Sequence, residues 1–338
     1  MKALIKTSIL AAALIAMPVA NADNWGHQHY KPVPKPVPIP VPVVPKPVPT
    51  PTPTPAPAPA PVPAPSPLVC AKAPTSTLVV NVLDTGARGD GKTNDTSALQ
   101  NAINKAGGTG GTVFVPNGTY MVDALTSLNL KSNMTLSLEA NAILKAIPNN
   151  SDSYAVVEVG GVSNVNIIGG TIAGERAQHQ GSGGEWGMGI QVDGSTNVVL
   201  ERVTSRDMWG DGFYVSGDSI NNNITLCTVT GDNNRRQGIS IEYVDGMVIK
   251  NSVFKGTNGT APADGLDIEP YGNKTVSNVQ ILGNQFTGNA GHGLELIAMS
   301  GVVDKITVTG NNFSGNKSSG TYVHPAVTNA VLSGNTGM

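Results

Sequence analysis

From about residue 79 to residue 335, apolar and polar positions alternate in short runs, each led by a turn residue, most often glycine or asparagine. One set reads Gly189-Ile-Gln-Val, Gly212-Phe-Tyr-Val, Gly238-Ile-Ser-Ile, Gly265-Leu-Asp-Ile, Gly293-Leu-Glu-Leu and Gly320-Thr-Tyr-Val, with glycines 23, 26, 27, 28 and 27 residues apart. A second set follows each time: Asn197-Val-Val-Leu, Asn223-Ile-Thr-Leu, Gly246-Met-Val-Ile, Asn278-Val-Gln-Ile and Lys305-Ile-Thr-Val. Alternation bounded by Gly and Asn predicts strands, and the recurring period predicts a solenoid. One unit cannot bury its apolar side alone. Rungs stacked about 4.8 Å apart build a continuous Val/Ile/Leu core. The expected fold is all-β, a parallel β-helix; propeller blades need about 40 residues or more. One helix is legible. Asp95 can cap it, Ala98, Leu99, Ala102 and Ile103 form its apolar stripe, and Gly107-Gly108 stop it. It is expected to plug the open N-terminal end and protect the first strand edge.

Composition changes the picture at the N-terminus. Lys31 to Pro67 holds 18 of the 25 prolines, which excludes helix and sheet there and predicts a polyproline II spacer. Before it, Lys2 and Lys6, an apolar stretch from Ile9 to Ala20 and Ala20-Asn21-Ala22 read as an export signal. The apolar run is too short for a membrane span. The expected organisation is a signal peptide over 1–22, a Pro-rich linker over 23–68 and a β-helix domain over 69–338, working in a secreted, periplasmic or cell-surface setting. Within 23–30, His27 and His29 beside Trp25 and Tyr30 are only a weak metal or surface signal. Charged residues make up 13% of the chain and the net charge is -2. That balance argues against a nucleic-acid partner, which calls for a basic patch. Cys70 and Cys227 are too few for a disulfide framework; Cys227, alternating with apolar strand residues, is expected to be a free buried thiol.

The stretch Gly86-Ala-Arg-Gly-Asp-Gly-Lys-Thr-Asn-Asp-Thr-Ser-Ala-Leu-Gln, followed by Gly110-Gly-Thr-Val-Phe-Val-Pro-Asn-Gly-Thr-Tyr, resembles the opening of the pectate-lyase-like β-helix superfamily. That superfamily includes polygalacturonases, rhamnogalacturonases, phage tailspike depolymerases and mannuronan epimerases. The resemblance implies a right-handed parallel β-helix acting on an extracellular polysaccharide, and it leaves the reaction type open because the opening is structural.

Stacking the repeats on the glycines places two columns of side chains outside the core. The first is Gln191, Tyr214, Ser240, Asp267 and Glu295; the second is Asp193, Ser216, Glu242, Glu269 and Ile297. Before the glycines stand Met188, Asp211, Gln237, Asp264 and His292. Outward carboxylates would lie roughly 5 Å apart between rungs and roughly 6.7 Å apart along one strand. Those spacings bracket the separations used by retaining and inverting glycosidases, and crowding raises one pKa so that an acid and a base coexist. Asp264, Asp267, Glu269, Asp211 and His292 are therefore the catalytic candidates, with Asp267 at the centre, although outward acids are equally at home as solvated surface. Arg235 and Arg236 are expected to pair a substrate carboxylate. Trp186 and Trp209 can stack on sugar or pack internally. Tyr214, Glu242, Glu295 and Lys274 complete the expected binding surface.

In the polygalacturonase pattern an Asn-Thr-Asp-Gly rung precedes a paired Asp-Asp rung and then Gly-His-Gly. Here Asp211-Gly212 matches the first, Arg236-Gln237 replaces the pair, and Gly291-His292-Gly293 comes one rung late. The epimerase string Asp-Pro-His-Glu is absent. The leading expectation is an exported hydrolase of an acidic polysaccharide, needing no cofactor. The alternatives are a lyase or uronate epimerase, with Arg235, Arg236 or Lys274 as base and Ca²⁺ held by the acids, and a non-catalytic sugar-binding surface protein.

Overall fold

The structure, a computed structural model, describes residues 70–338. The expected export signal, the segment with His27 and His29, and the proline-rich spacer lie outside the described residues. Among the described residues no helix is long and apolar enough to cross a membrane.

The chain winds into a right-handed parallel β-helix of about nine turns. A ten-stranded sheet and two eight-stranded sheets form its walls, and the named strands pair in parallel throughout. Chain-order neighbours lie in different sheets, so each turn contributes one strand to a wall. The apolar residues of the alternating runs point inward and pack as one core. Within it Phe254, Phe286 and Phe313 stack almost parallel, with centroids 5.3 and 5.2 Å apart.

The glycine column has a steric cause. A Cβ at Gly238 would lie 2.4 Å from the carbonyl oxygen of Gly265, and one at Gly265 would lie 2.7 Å from that of Gly293. Successive turns approach too closely here for any side chain. The residues that open the second set also share a conformation: Asn197, Asn223, Asn278 and Lys305 all have φ of 56°. Asparagine is among the few side chains that accept this left-handed region. Its repeated choice is a backbone requirement.

The helix α1 (Thr96–Ala106) buries Leu99, Ala102, Ile103 and Ala106 and packs on the strands Val79–Asn81, Thr112–Val115 and Leu128–Asn129. It covers the N-terminal end as expected. Its cap differs from expectation: the Asp95 carboxylate accepts from the backbone N–H of Arg88 and Gly89, at 2.8 and 3.1 Å. The Asn94 side chain instead accepts from Thr96 N–H. The incoming loop claims Asp95 first.

The cysteines correct a second expectation. Cys227 is not a free thiol; it is bonded to Cys70 across 157 positions. Residues 70–76 lie across the outer side of the ten-stranded sheet, held by Asn166 Nδ2 donating to Lys72 O and Ser76 N–H donating to Gly110 O. Buried Glu201, one strand over from Cys227, accepts from the N–H groups of Cys70 and Ala71. Cys70 stands outside the repeat, so no periodicity reveals where it docks.

Candidate active site

The strands Trp186–Asp193, Phe213–Ser216, Ile239–Ile241, Leu266–Ile268 and Leu294–Leu296 pair so that Gln191, Tyr214, Ser240, Asp267 and Glu295 fall directly above one another. This is the expected first column. It continues to Glu158 at one end and Tyr322 at the other. Glu158 escaped the sequence pattern because Val156 stands where its repeat would carry glycine. The column before the glycines is also real, with Gly212 N–H donating to Gln237 O, Gly238 N–H to Asp264 O and Gly265 N–H to His292 O.

The acids are less solvated than outward placement suggested. Asp211, Asp264 and Asp267 are buried, with Asp267 2% exposed, while Glu269 is exposed and Glu242 and Glu295 lie between. Turns only about 4.8 Å apart let side chains of one turn close over those of the next. Arg236 Nη1 donates to Asp211 Oδ2 at 3.0 Å, and Ser240 Oγ donates to the same oxygen at 2.8 Å. Gln237 accepts from Asp264 N–H at 2.6 Å and donates to Asp267 Oδ2 at 3.2 Å. Asp211 Oδ1, Asp264 Oδ2 and Asp267 Oδ1 are buried without a protein partner, and so is the donor Arg236 Nε.

Burial sets the protonation of this face. It pushes Asp211 up to about 6, against the pull of Arg236, and raises Asp267 well above the carboxylate range, helped by Glu269. Glu295 is raised to about 7 by burial and by the Asp264 charge beside it. Asp264 and Glu269 are raised too, again chiefly by burial. Asp264 Oδ1 also accepts from the His292 N–H. The His292 ring places Nδ1 2.7 Å from Ser319 Oγ and Nε2 3.9 Å from Glu295 Oε1. Glu242 accepts from Tyr214 OH at 2.7 Å and Ser216 Oγ at 2.5 Å. Lys274 reaches the same Ser216 at 3.3 Å and donates to Tyr271 OH at 2.5 Å.

Two expected binding residues are turned to other work. The Trp209 ring is stacked on His179 at 3.9 Å, while the Arg235 guanidinium lies 3.8 Å from its centroid. Two groups that close must occupy opposite ring faces, so Trp209 presents neither to a sugar. Arg235 also donates to the carbonyls of Gly184 and Trp209 and is thereby a wall element, not a free partner for a carboxylate. His179 itself is fixed by Glu175, which Tyr154 also binds. Trp186 remains half exposed at the head of its strand. Gln237, Ser240 and Ser319 were not expected functional residues; they carry no charge, and only the observed network singles them out.

The acids do not fit the Ca²⁺ expectation. Among the described residues no three His, Cys, Asp or Glu converge with metal-holding geometry, and Asp211 and Asp264 already accept from Arg236 and from the His292 N–H. A groove of about 300 Å³ under residues 70–75 is remote from these acids, and Lys72 is the one charged residue lining it.

A sequence profile described as rhamnogalacturonase A/epimerase, pectate lyase-like, matches residues 79–322. An uncharacterized Bacillus subtilis (strain 168) protein, YclG, is 35% identical over 247 residues, covering 62% of this chain and 42% of that protein. The chain thus spans less than half the length of this relative. Among solved structures, the A-module of Azotobacter vinelandii mannuronan C-5 epimerase AlgE6 is similar, with a TM-score of 0.57, 26% identity and coverage of 76% and 75%. The Streptococcus pneumoniae surface adhesin PfbA shares the fold, at 20% identity, a TM-score of 0.58 and coverage of 76% and 72%. With the profile matching well over half of its residues, the chain belongs to the rhamnogalacturonase A/epimerase, pectate-lyase-like family.

Proposed function

We propose that the chain is an exported enzyme that hydrolyses glycosidic bonds of an extracellular polysaccharide. The observation that carries this reading is the stacking of Glu295 on the Asp264–Asp267 turn, where burial, helped by the Asp264 charge, raises Glu295 to about 7. Glu295, half-buried, serves as general acid and gives its proton to the departing glycosidic oxygen, and the charge of Asp264 keeps that proton in place beforehand. Exposed Glu269 lies two residues from Asp267 on the adjacent turn and acts as the base that activates water. Asp267, buried between them, stays neutral and supports the substrate by hydrogen bonding. The proline-rich segment serves as a spacer for the domain, and the export signal places it outside the cytoplasm.

A second reading has its own support. Lys274 lies against the Tyr271 hydroxyl beside Glu242, a basic group suited to proton abstraction in uronate elimination or epimerisation. One experiment separates these readings: the purified chain is incubated with a panel of acidic and neutral polysaccharides. New reducing ends without unsaturated-uronate absorbance support hydrolysis. Ends with that absorbance point to elimination, and a changed uronate composition without new ends points to epimerisation. A chain that binds but changes no member of the panel is a sugar-binding protein, and the hydrolase proposal then fails.

A further inference from the structure

We propose that Ser319 is a positioning residue: it holds the neutral His292 ring with its proton on Nδ1, so that the Nε2 lone pair faces Glu295. Where the proton sits follows from the hydrogen bonds; what that lone pair then does rests on the hydrolase reading.

Each bond has a direction fixed by what its groups can do. The Ser319 hydroxyl donates to the carbonyl oxygen of Thr321 at 2.9 Å, and a carbonyl oxygen only accepts. The single hydroxyl hydrogen is used there, so Ser319 Oγ offers His292 Nδ1, 2.7 Å away, nothing but lone pairs. Nδ1 is therefore the donor. A neutral imidazole carries one N–H, and the bond made by one nitrogen sets the state of the other. Nε2 is left as the base.

The rest of the residue is held as firmly. The His292 N–H donates to Asp264 Oδ1, its carbonyl accepts from the Gly265 N–H at 3.0 Å, and its ring is stacked on Tyr322 with centroids 5.8 Å apart. Nε2 lies 3.9 Å from Glu295 Oε1, longer than a hydrogen bond and one small side-chain movement from making it. The two side chains are 24% and 17% exposed, so both meet solvent. Once Glu295 has given its proton to the departing oxygen it is a carboxylate. His292 Nε2 then takes a proton from water, and the N–H bond so formed breaks as that proton passes to Glu295. The ring returns to its Nδ1–H form. Glu269, which took a proton from the attacking water, releases it to solvent, and the protons balance. The other tautomer would turn an N–H toward Glu295, with no lone pair there to collect a proton.

The test of the tautomer needs no substrate. Long-range proton–nitrogen correlation spectra of the full chain, labelled at histidine, are recorded from about pH 6 to about pH 9. His292 is assigned by the signals lost in His292→Gln. The neutral ring is expected to show the Nδ1–H pattern. Ser319→Ala should move it to the Nε2–H pattern, and Ser319→Thr, which keeps the hydroxyl, should restore Nδ1–H. An Nε2–H ring in the parent chain overturns the inference whether or not the variants fold, and so does a Ser319→Ala ring that keeps its proton on Nδ1. On a polymer that the chain cleaves, Ser319→Ala should lower kcat about 10-fold or more while KM stays within about twofold, and Ser319→Thr should recover the loss. An unchanged kcat in Ser319→Ala overturns the proton-returning role. An Nδ1–H ring in a chain that cleaves no polymer removes the hydrolase reading and leaves the tautomer standing. An Nε2–H ring in a chain that hydrolyses one does the reverse.

Discussion

Glu295 stacks directly on Asp267 of the preceding turn and lies beside Asp264, whose charge adds to burial in raising it to about 7. The pair exists because the strands Leu266–Ile268 and Leu294–Leu296 stack in register. One residue of slippage would separate the two groups.

The pair gives a signature in pH. Glu295, raised to about 7, must be protonated to act as acid, so activity should fall as pH rises through about 7. Glu295→Gln should lower turnover by 10² or more and abolish that descending limb. Asp264→Asn should shift the limb to lower pH, because Glu295 loses the neighbouring charge that raises it. A limb that stays in place in both variants assigns the proton to another group.

Asp267 predicts a stability effect of defined sign. Its carboxyl, like those of Asp211 at about 6 and Glu158 at about 7, holds its proton more tightly in the folded chain than in the unfolded one. Stability from such groups is fully present below the ordinary carboxylate range and is lost as pH climbs through the raised values. The thermal midpoint should therefore be highest near pH 4 to 5 and decline toward neutrality. Asp267→Asn should match the parent at about pH 4 and exceed it at about pH 7.5. Because the amide copies a neutral carboxyl, turnover should drop less than 10-fold, far less than in Glu295→Gln. A lower midpoint at neutral pH would show that Asp267 is ionised in the fold.

Arg236 matters to the fold through Asp211. Removing the cation in Arg236→Met leaves a buried carboxylate uncompensated, at a cost of about 3 kcal/mol. The loss should shrink at pH 5, where Asp211, at about 6, takes up a proton. Denaturant midpoints at the two pH values check this, and Arg236→Lys should recover part of the difference. Equal losses at both would mean that packing, not charge, is what Arg236 supplies.

The Cys70–Cys227 bond should contribute about 2–4 kcal/mol. A truncated chain beginning at residue 69 should keep the β circular-dichroism signal and midpoint of the full chain, since the core, its covering helix and the Cys70–Cys227 bond all lie within it. Cys70→Ser, or reduction, should lower the midpoint in both. If the truncated chain unfolds without cooperativity, the boundary near residue 69 is misplaced.

The solenoid and its columns were legible because they follow from spacing: the glycine at 238 or 265 is where the next turn's carbonyl passes, and once the period is known Asp267 must lie between Ser240 and Glu295. Burial was not legible. Whether Asp267 meets water depends on how Arg236 and Gln237 fold across a neighbouring turn, which no single-strand pattern encodes. Which of its two roles Trp209 takes was hidden for a related reason. Its partner His179 belongs to the irregular segment after Gly174, where the period lapses. Cys70, also outside the period, concealed the disulfide.

That disulfide decides how the domain would carry a mechanical load. A pull transmitted from residues before Cys70 does not arrive at Val79–Asn81, the outermost strand of the ten. It passes through the sulfur bridge to Cys227, at the end of Asn221–Cys227, the sixth strand of that sheet. An edge strand under tension peels away one ladder bond at a time. An interior strand, bonded on both sides by Thr196–Glu201 and Val244–Lys250, must shear two ladders together. A load applied ahead of Cys70 therefore grips the domain by its middle, and the helix-covered first turn carries none of the strain.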